Sequence, residues 1–376
     1  MAPTTLPSKI FATVMCSAML VGLPLIGVAA RGGDVASYLE LPPITRHVVH
    51  AGYSSGAFVL IGLLDLAMLA GVIFLFKRSG ESAKLPHPIA GGPFPFWGWW
   101  ALALTFAGWL LAWTRFAWFA PLQAHTFCIP WIGYILFINA LCQMRSGRSL
   151  MSETPMGFLL LFPASAIFWW FFEYLNRFVQ NWYYINAQDY SPAGYTVLAS
   201  LAFSTVLPAV LSTYRLLLTW PSFNPGLADV LPLPLPGGKI AAAISLLATS
   251  AVLALIGVYP DYLFPVVWVA PLLIITGFQA LTGRPTLFFS LRSGDWRAIV
   301  ASAAAALICG FLWEMWNSHS LARWAYAVPF VNRFHLFAMP LLGYGGYLPF
   351  GLECLAIGLV ILGPQALTPE GPPASS

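Results

Sequence analysis

Charge is scarce in this chain. Asp, Glu, Lys and Arg make up 8% of its 376 residues, against about 25% in ordinary soluble domains. With 59% hydrophobic residues and a mean hydropathy of +0.78, a water-soluble globule would have too little polar surface to cover its core. The bilayer is the natural solvent. The small excess of 17 Lys and Arg over 13 Asp and Glu is spread over loops, with no basic cluster. That pattern excludes a nucleic-acid surface. Cysteine is scarce too: Cys16, Cys128, Cys142, Cys309 and Cys354 each lie in or beside an apolar run. No CxxC and no zinc-type Cys/His spacing occurs, so neither a disulfide framework nor a structural metal site is indicated. There is no Walker A string, no GxGxxG after a strand, no HExxH and no Asp-rich pair suited to Mg-diphosphate. No cofactor or metal is expected.

Long apolar runs fill the rest. A spanning helix needs about 20 mostly apolar residues, and that rule predicts ten spans. They cover 10–30, 57–76, 96–113, 127–144, 156–175, 194–214, 239–258, 262–282, 298–316 and 341–363. The first, behind Lys9, is longer than the ~7–15-residue core of a signal peptide, which favours a retained, uncleaved signal anchor. Val258-Tyr259-Pro260-Asp261 reads as a tight reversal between two spans. With the N-terminus inside, cytoplasmic segments carry 11 Lys and Arg and outer segments 6. The positive-inside rule then places both termini in the cytoplasm, across a plasma (inner) membrane. Aromatic outer loops, such as Trp182-Tyr183-Tyr184 and Trp324-Ala325-Tyr326, suit an interfacial belt.

The expected fold is all-α: a polytopic transmembrane bundle of about ten spans with an internal parallel duplication. PWIGYILFINALCQMRSGRS (130–149) resembles VWVAPLLIITGFQALTGRPT (267–286), pairing Trp131 with Trp268 and Gly147-Arg148 with Gly283-Arg284. Each copy is followed by an apolar helix ending in aromatic-Glu-x-x-Asn: Phe172-Glu173-Tyr174-Leu175-Asn176 and Trp313-Glu314-Met315-Trp316-Asn317. A tryptophan then follows, Trp182 or Trp324. The organisation reads as two N-terminal helices and an outer loop (1–95), a first four-helix half (96–216), a Pro/Gly-rich cytoplasmic linker (217–238), a second half (239–363) and a flexible cytoplasmic tail (364–376).

Acidic residues in predicted spans mark the candidate site, because charge at membrane depth costs at least ~2.5 kcal/mol. Glu173, Glu314 and Glu353 are the candidate acid/base groups; Asp65 is the remaining acid in a span. The Glu-x-x-Asn spacing puts acid and amide on one helix face, so that Asn176 and Asn317 either donate to their glutamates or hold a common ligand beside them. Two bland readings compete. One is helix–helix hydrogen bonding without further function. The other is an ion pair from Glu173 to Arg177. Trp170, Trp313 and Trp316, with Trp169, suit the walls of a dry cavity, and Trp182 and Trp324 join the binding set. Gly and Pro over 337–351 predict an irregular approach to the last span.

Three functions fit this pattern. The first is an intramembrane enzyme using its buried glutamates on a lipid or isoprenoid. The second is a proton-coupled transporter with two related halves. The third is a non-catalytic subunit of a membrane complex. Membrane lipids and a hydrophobic small molecule are the expected partners, and nucleic acid is not.

Overall fold

The computed structural model describes residues 6–43, 45–79, 91–187, 190–235 and 238–367, with side chains from Val14 onward. Helices dominate. In chain order they are α1 (Leu6–Ala30), α2 (Ser55–Arg78), α3 (Phe96–Trp113), α4 (Cys128–Ser146), α5 (Leu150–Glu153), α6 (Pro155–Val179), α7 (Pro192–Phe203) and α8 (Val206–Leu217). Then come α9 (Lys239–Ile256), α10 (Pro260–Leu263), α11 (Ala270–Leu281), α12 (Arg297–Ser318), α13 (Tyr347–Leu362) and α14 (Pro364–Leu367). Four short strands interrupt them: β1 (Trp182–Ile185), β2 (Arg323–Tyr326), β3 (His335–Leu336) and β4 (Met339–Pro340).

Among the described residues, 7 helices are long and apolar enough to cross a membrane, or 9 if two bent pairs each count as one span. The sequence led us to expect ten. The difference is α1, a 25-residue helix over Leu6–Ala30 of which only the apolar stretch Val14–Ala30 enters that count. Both bent pairs have a proline cause. A 3-10 turn at Ala117–His125 containing Pro121 meets α4 at 71°. The segment Pro260–Trp268 meets α11 at 55°, with Pro265 and Pro271 on either side of the break. Proline removes a helical N–H and clashes with the preceding turn. The tight reversal read at Val258–Asp261 stands: α9 ends at Ile256, and the bent pair that follows packs back along it, with Val267 near Ile256 and Gly277 against Leu246. The expected span at 194–214 is present as one candidate span, Pro192–Leu217, with a short interruption at Ser204 and Thr205 between α7 and α8.

The core sits where α4, α6, α8, α12 and α13 meet. Helix α8 is buried along almost its whole length, and α13 is buried from Phe350 to Ala356. By contrast, α2 buries only Leu75, while Val59, Leu63, Leu66 and Leu69 face outward. An uncompensated apolar surface of that kind belongs against lipid. Helix α1 rests on α9 with backbones in close approach: a Cβ at Gly27 would meet the Ala254 carbonyl, and one at Gly257 would meet that of Pro24. This is small-residue packing of the sort membrane helices use.

The segment read as a linker, 217–238, is packed where it is described. Leu227 and Val230 are buried against Leu75 and Val300, and the Trp296 N–H donates to the Leu227 carbonyl. Most of the expected tail, 368–376, lies outside the described residues. Just before it, the Leu367 carbonyl accepts the Tyr214 hydroxyl at 2.7 Å. As expected over 337–351, α13 is preceded by irregular backbone: the β3–β4 pair and a 3-10 turn at Leu341–Gly346.

Candidate functional site

The site begins at the ends of α6 and α12, where each Glu-x-x-Asn sequence meets a strand. Neither asparagine reaches its glutamate, so that part of the sequence reading is corrected. Asn176 instead clamps the backbone beyond the helix. Its Oδ1 accepts the N–H of Asn181 (2.8 Å) and of Trp182 (3.3 Å), and its Nδ2 donates to the Trp182 carbonyl (2.8 Å). Asn317 does the same for Trp324, taking its N–H at 2.9 Å and giving to its carbonyl at 2.8 Å. A helix end leaves orphan backbone groups, and a buried amide with both donor and acceptor can orient the strand that follows.

Once the tryptophan is fixed, the strand period does the rest. Residues i and i+2 share a face, so Trp182 and Tyr184 both turn back to Glu173. Its Oε1 accepts Trp182 Nε1 at 3.0 Å, Tyr184 Oη at 2.6 Å and Trp169 Nε1 at 3.0 Å. In the second site Glu314 Oε1 accepts Tyr326 Oη at 2.6 Å, Tyr347 Oη at 2.9 Å and, more weakly, Trp324 Nε1 at 3.4 Å. Trp324 Nε1 also donates to Tyr326 Oη at 2.9 Å. Both glutamates are fully buried, and Oε2 of each makes no hydrogen bond to a described residue. Burial, and after it the neighbouring glutamate charge, pushes the Tyr184 and Tyr326 phenols well above the ordinary tyrosine value. Both therefore stay protonated and donate.

The two strands pair antiparallel, with Trp182 opposite Tyr326 and Tyr184 opposite Trp324. Exchanging one strand for the other reproduces the pattern. Behind them the aromatic packing exchanges as well: Trp131 packs on Trp313 at 5.1 Å, and Trp268 stacks on Phe172 at 5.4 Å.

The third donors differ in origin but occupy matching places. Trp169 stands four residues before Glu173, and Gly310 four residues before Glu314. The α8 string Val206-Leu207-Pro208-x-x-Leu211 matches the α13 string Tyr347-Leu348-Pro349-x-x-Leu352. Thus Trp169 with Val206 at one site corresponds in position to Gly310 with Tyr347 at the other. A Cβ on Gly310 would overlap the Tyr347 ring, so the glycine makes the space that the tyrosine fills.

All six donors, Trp169, Trp182, Tyr184, Trp324, Tyr326 and Tyr347, line one cavity of about 260 Å³. This is near the lower end of small-molecule pockets, which run from about 300 Å³ upward. Neither Glu173 nor Glu314 lines it; each stands behind its donors. Of the sequence-derived binding residues, Trp182, Trp313 and Trp324 line the cavity. Asn176 and Asn317 hold the strands. Trp170 donates to Ser200 Oγ at 2.8 Å on α7, and Trp316 is buried against Trp131. Glu353 lies elsewhere: it is fully buried, with Oε1 3.4 Å from Leu272 N in the first turn of α11. The alternative Glu173–Arg177 pair does not form, since Arg177 donates to the Ser37 carbonyl at 2.7 Å and lies 4.0 Å from Glu40.

Tyr184, Tyr326 and Tyr347 were absent from the sequence-derived set. The signal that finds the first two is Trp-x-Tyr after each Glu-x-x-Asn; the Leu-Pro-x-x-Leu match finds the third. One serine-hydrolase-like string, Gly52-Tyr53-Ser54-Ser55-Gly56, builds no nucleophile. Ser54 is extended and caps α2 by accepting the Ala57 N–H, and no histidine hydrogen-bonds to it among the described residues. Nearby His50 pairs with Asp261 at 2.7 Å and ties the loop before α2 to α10. No group of three metal-ligating side chains occurs among the described residues. Compared with known proteins, the chain matches no family model, no curated protein and no solved structure.

Proposed function

We propose that this membrane protein is an enzyme that takes a lipid or isoprenoid into the aromatic cavity and moves a proton on it. The observation that carries this reading is that each of two cavity tyrosines is backed by a buried glutamate, Tyr184 by Glu173 and Tyr326 by Glu314, both at 2.6 Å. In that geometry a ligand proton passes to Tyr184 Oη as Tyr184 hands its own proton to Glu173 Oε1, and the bonding pair stays on the ligand. The second pair, run in reverse, returns a proton elsewhere on the ligand. The sum is an isomerisation that needs no oxidant or cofactor. Trp169, Trp268 and Trp313 supply the apolar wall and π faces that favour charge build-up in a dry site. Glu353, away from the cavity, supplies no step in this scheme.

We further infer that the halves 96–216 and 239–363 are copies in a bundle of about ten spans with both termini cytoplasmic. The exchangeable strand register and the Trp131/Trp268 packing support the duplication. A proton-coupled transporter is the second reading, favoured by a cavity at the junction of two matched halves. The docking-subunit reading has less support, because Trp182 is buried and Trp324 faces the cavity.

Deuterium uptake tests the proposal. The protein, purified in lipid nanodiscs, is held in D2O, and the apolar molecules it retains are extracted and weighed by mass spectrometry. Deuterium should enter a retained molecule with the wild type, and far more slowly with Tyr184→Phe, which still retains it. A retained molecule without label would sink the acid–base reading. Proton-dependent flux in proteoliposomes would favour transport.

A further inference from the structure

The cavity has two chemically different ends. Its lining starts deep in the bundle: Trp169 lies ten residues before the end of α6 at Val179, or about 15 Å at 1.5 Å per residue. Around it stand Phe203, Val206, Trp268 and Trp313. The lining finishes in the loops, at His125, Tyr190, Ala322 and Arg323. Arg323, the first residue of β2, donates to the Ser320 carbonyl at 3.3 Å and pairs with no acid among the described residues. His125 ends the 3-10 turn before α4 and lies 5.7 Å, ring to ring, from Tyr190. Among the described residues, no aspartate, glutamate or lysine lines the cavity. The charged side chain among its described lining, Arg323, sits at the loop end, where Ala124, Ala187 and Ala322 leave room.

We propose that the cavity's ligand is a single-chain amphiphile, its apolar tail among the tryptophans and an anionic head group held by Arg323 beside His125. This rests on the cavity being a lipid or isoprenoid site, and it adds the charge and direction of the ligand. A guanidinium free of an internal acid presents forked N–H donors that match a carboxylate or phosphate. The apolar depth suits one chain, and among the described residues it offers no second charged anchor.

Five cavity tryptophans make binding readable by fluorescence. Farnesyl monophosphate, farnesol and inorganic phosphate are titrated into the full-length protein in nanodiscs. Farnesyl monophosphate should bind at least ~10-fold tighter than farnesol, a difference of ~1.4 kcal/mol, and inorganic phosphate should not compete. Arg323→Gln should bring the ratio near one while leaving farnesol affinity unchanged, and Arg323→Lys should retain part of it. Equal binding of alcohol and phosphate to the wild type overturns the proposal, as does an unchanged ratio in Arg323→Gln. Competition by inorganic phosphate overturns it in favour of a free-anion site. If neither chain binds, the underlying cavity reading falls with it; if farnesol alone binds, only the head-group assignment falls.

Discussion

Replacing Glu173 with leucine removes an acceptor shared by three donors while keeping a buried side chain of similar bulk. The donors are Trp169 Nε1 and Trp182 Nε1 at 3.0 Å and Tyr184 Oη at 2.6 Å. A buried donor left unsatisfied costs about 1–3 kcal/mol, so simple addition gives about 3–9 kcal/mol. Two effects lower that sum. All three donors line the cavity and can turn towards it, and leucine removes the cost of burying the acid. The low end, about 3 kcal/mol, is the expected loss for Glu173→Leu. Glu173→Gln keeps an acceptor oxygen in place and should lose about 1 kcal/mol. Glu314→Leu should cost less than Glu173→Leu, roughly 2 kcal/mol, because Trp324 is held only at 3.4 Å and has Tyr326 Oη as a second acceptor. Unfolding in mixed micelles with increasing SDS, followed by tryptophan fluorescence, gives the three values. If Glu173→Leu is within about 0.5 kcal/mol of wild type, the ordinary range of neutral surface changes, the shared-acceptor reasoning is refuted. It is refuted equally if the glutamine variant costs as much as leucine.

Three other outcomes follow from the same geometry. Asn176→Ala and Asn317→Ala should each cost about 2 kcal/mol and speed hydrogen exchange at the Trp182 and Trp324 amides; unchanged exchange would deny the asparagines their clamping role. Gly310→Val should destabilise by about 1–3 kcal/mol by overpacking, and most of that loss should vanish in a Tyr347→Ala background; additive losses would mean the two do not touch. Burial holds the Tyr184 and Tyr326 phenols above their ordinary value. The folded state therefore keeps protons that the unfolded state loses near pH ~10, so their contribution is complete below that pH and lost above it. Alkaline titration by tyrosinate absorbance should find these two tyrosines ionising only with unfolding; ionisation alongside the exposed tyrosines would contradict the buried pairing.

Much of this arrangement was legible in the sequence because insertion into lipid leaves strong marks. A carboxylate in an apolar run is expensive, so Glu173 and Glu314 stand out, and the asparagine three residues on marks the same helix face. The direction of the asparagine side chains was not legible. Spacing fixes the face but cannot say whether an amide turns to its neighbour or to the backbone beyond the helix. Nor was the strand pair legible, since Trp182-Tyr183-Tyr184 has the composition of an interfacial belt, and only long-range pairing with Arg323–Tyr326 turns two of its rings inward. The broken helices were half legible: Pro260 marked the reversal after α9, but the 55° bend inside the span that follows, between Pro260–Trp268 and α11, was not read. Glu353 shows the same limit from the other side. Its burial was readable, while its separation from the other two glutamates follows from which face of α13 meets α11.

The exchange between Trp169 with Val206 and Gly310 with Tyr347 bears most directly on what the site requires. If the two glutamates served only to join helices, any third donor, or none, would do, and drift at these positions would leave no trace. Instead, where the helix position four residues before the glutamate is the glycine Gly310, the facing position on α13 carries an aromatic ring with a hydroxyl, Tyr347. A third bond to Oε1 is present at both sites, at 3.0 Å to Glu173 and 2.9 Å to Glu314. The ring also keeps its place on the cavity wall, since Trp169 and Tyr347 both line it. What is held in common is therefore a pair of properties: three donors on one buried oxygen, and an aromatic surface facing an enclosed space. Packing alone demands neither. A wall of tyrosine and tryptophan donors turned to two acids demands both, because their rings are then left facing a ligand while the tyrosine hydroxyls remain within reach of it.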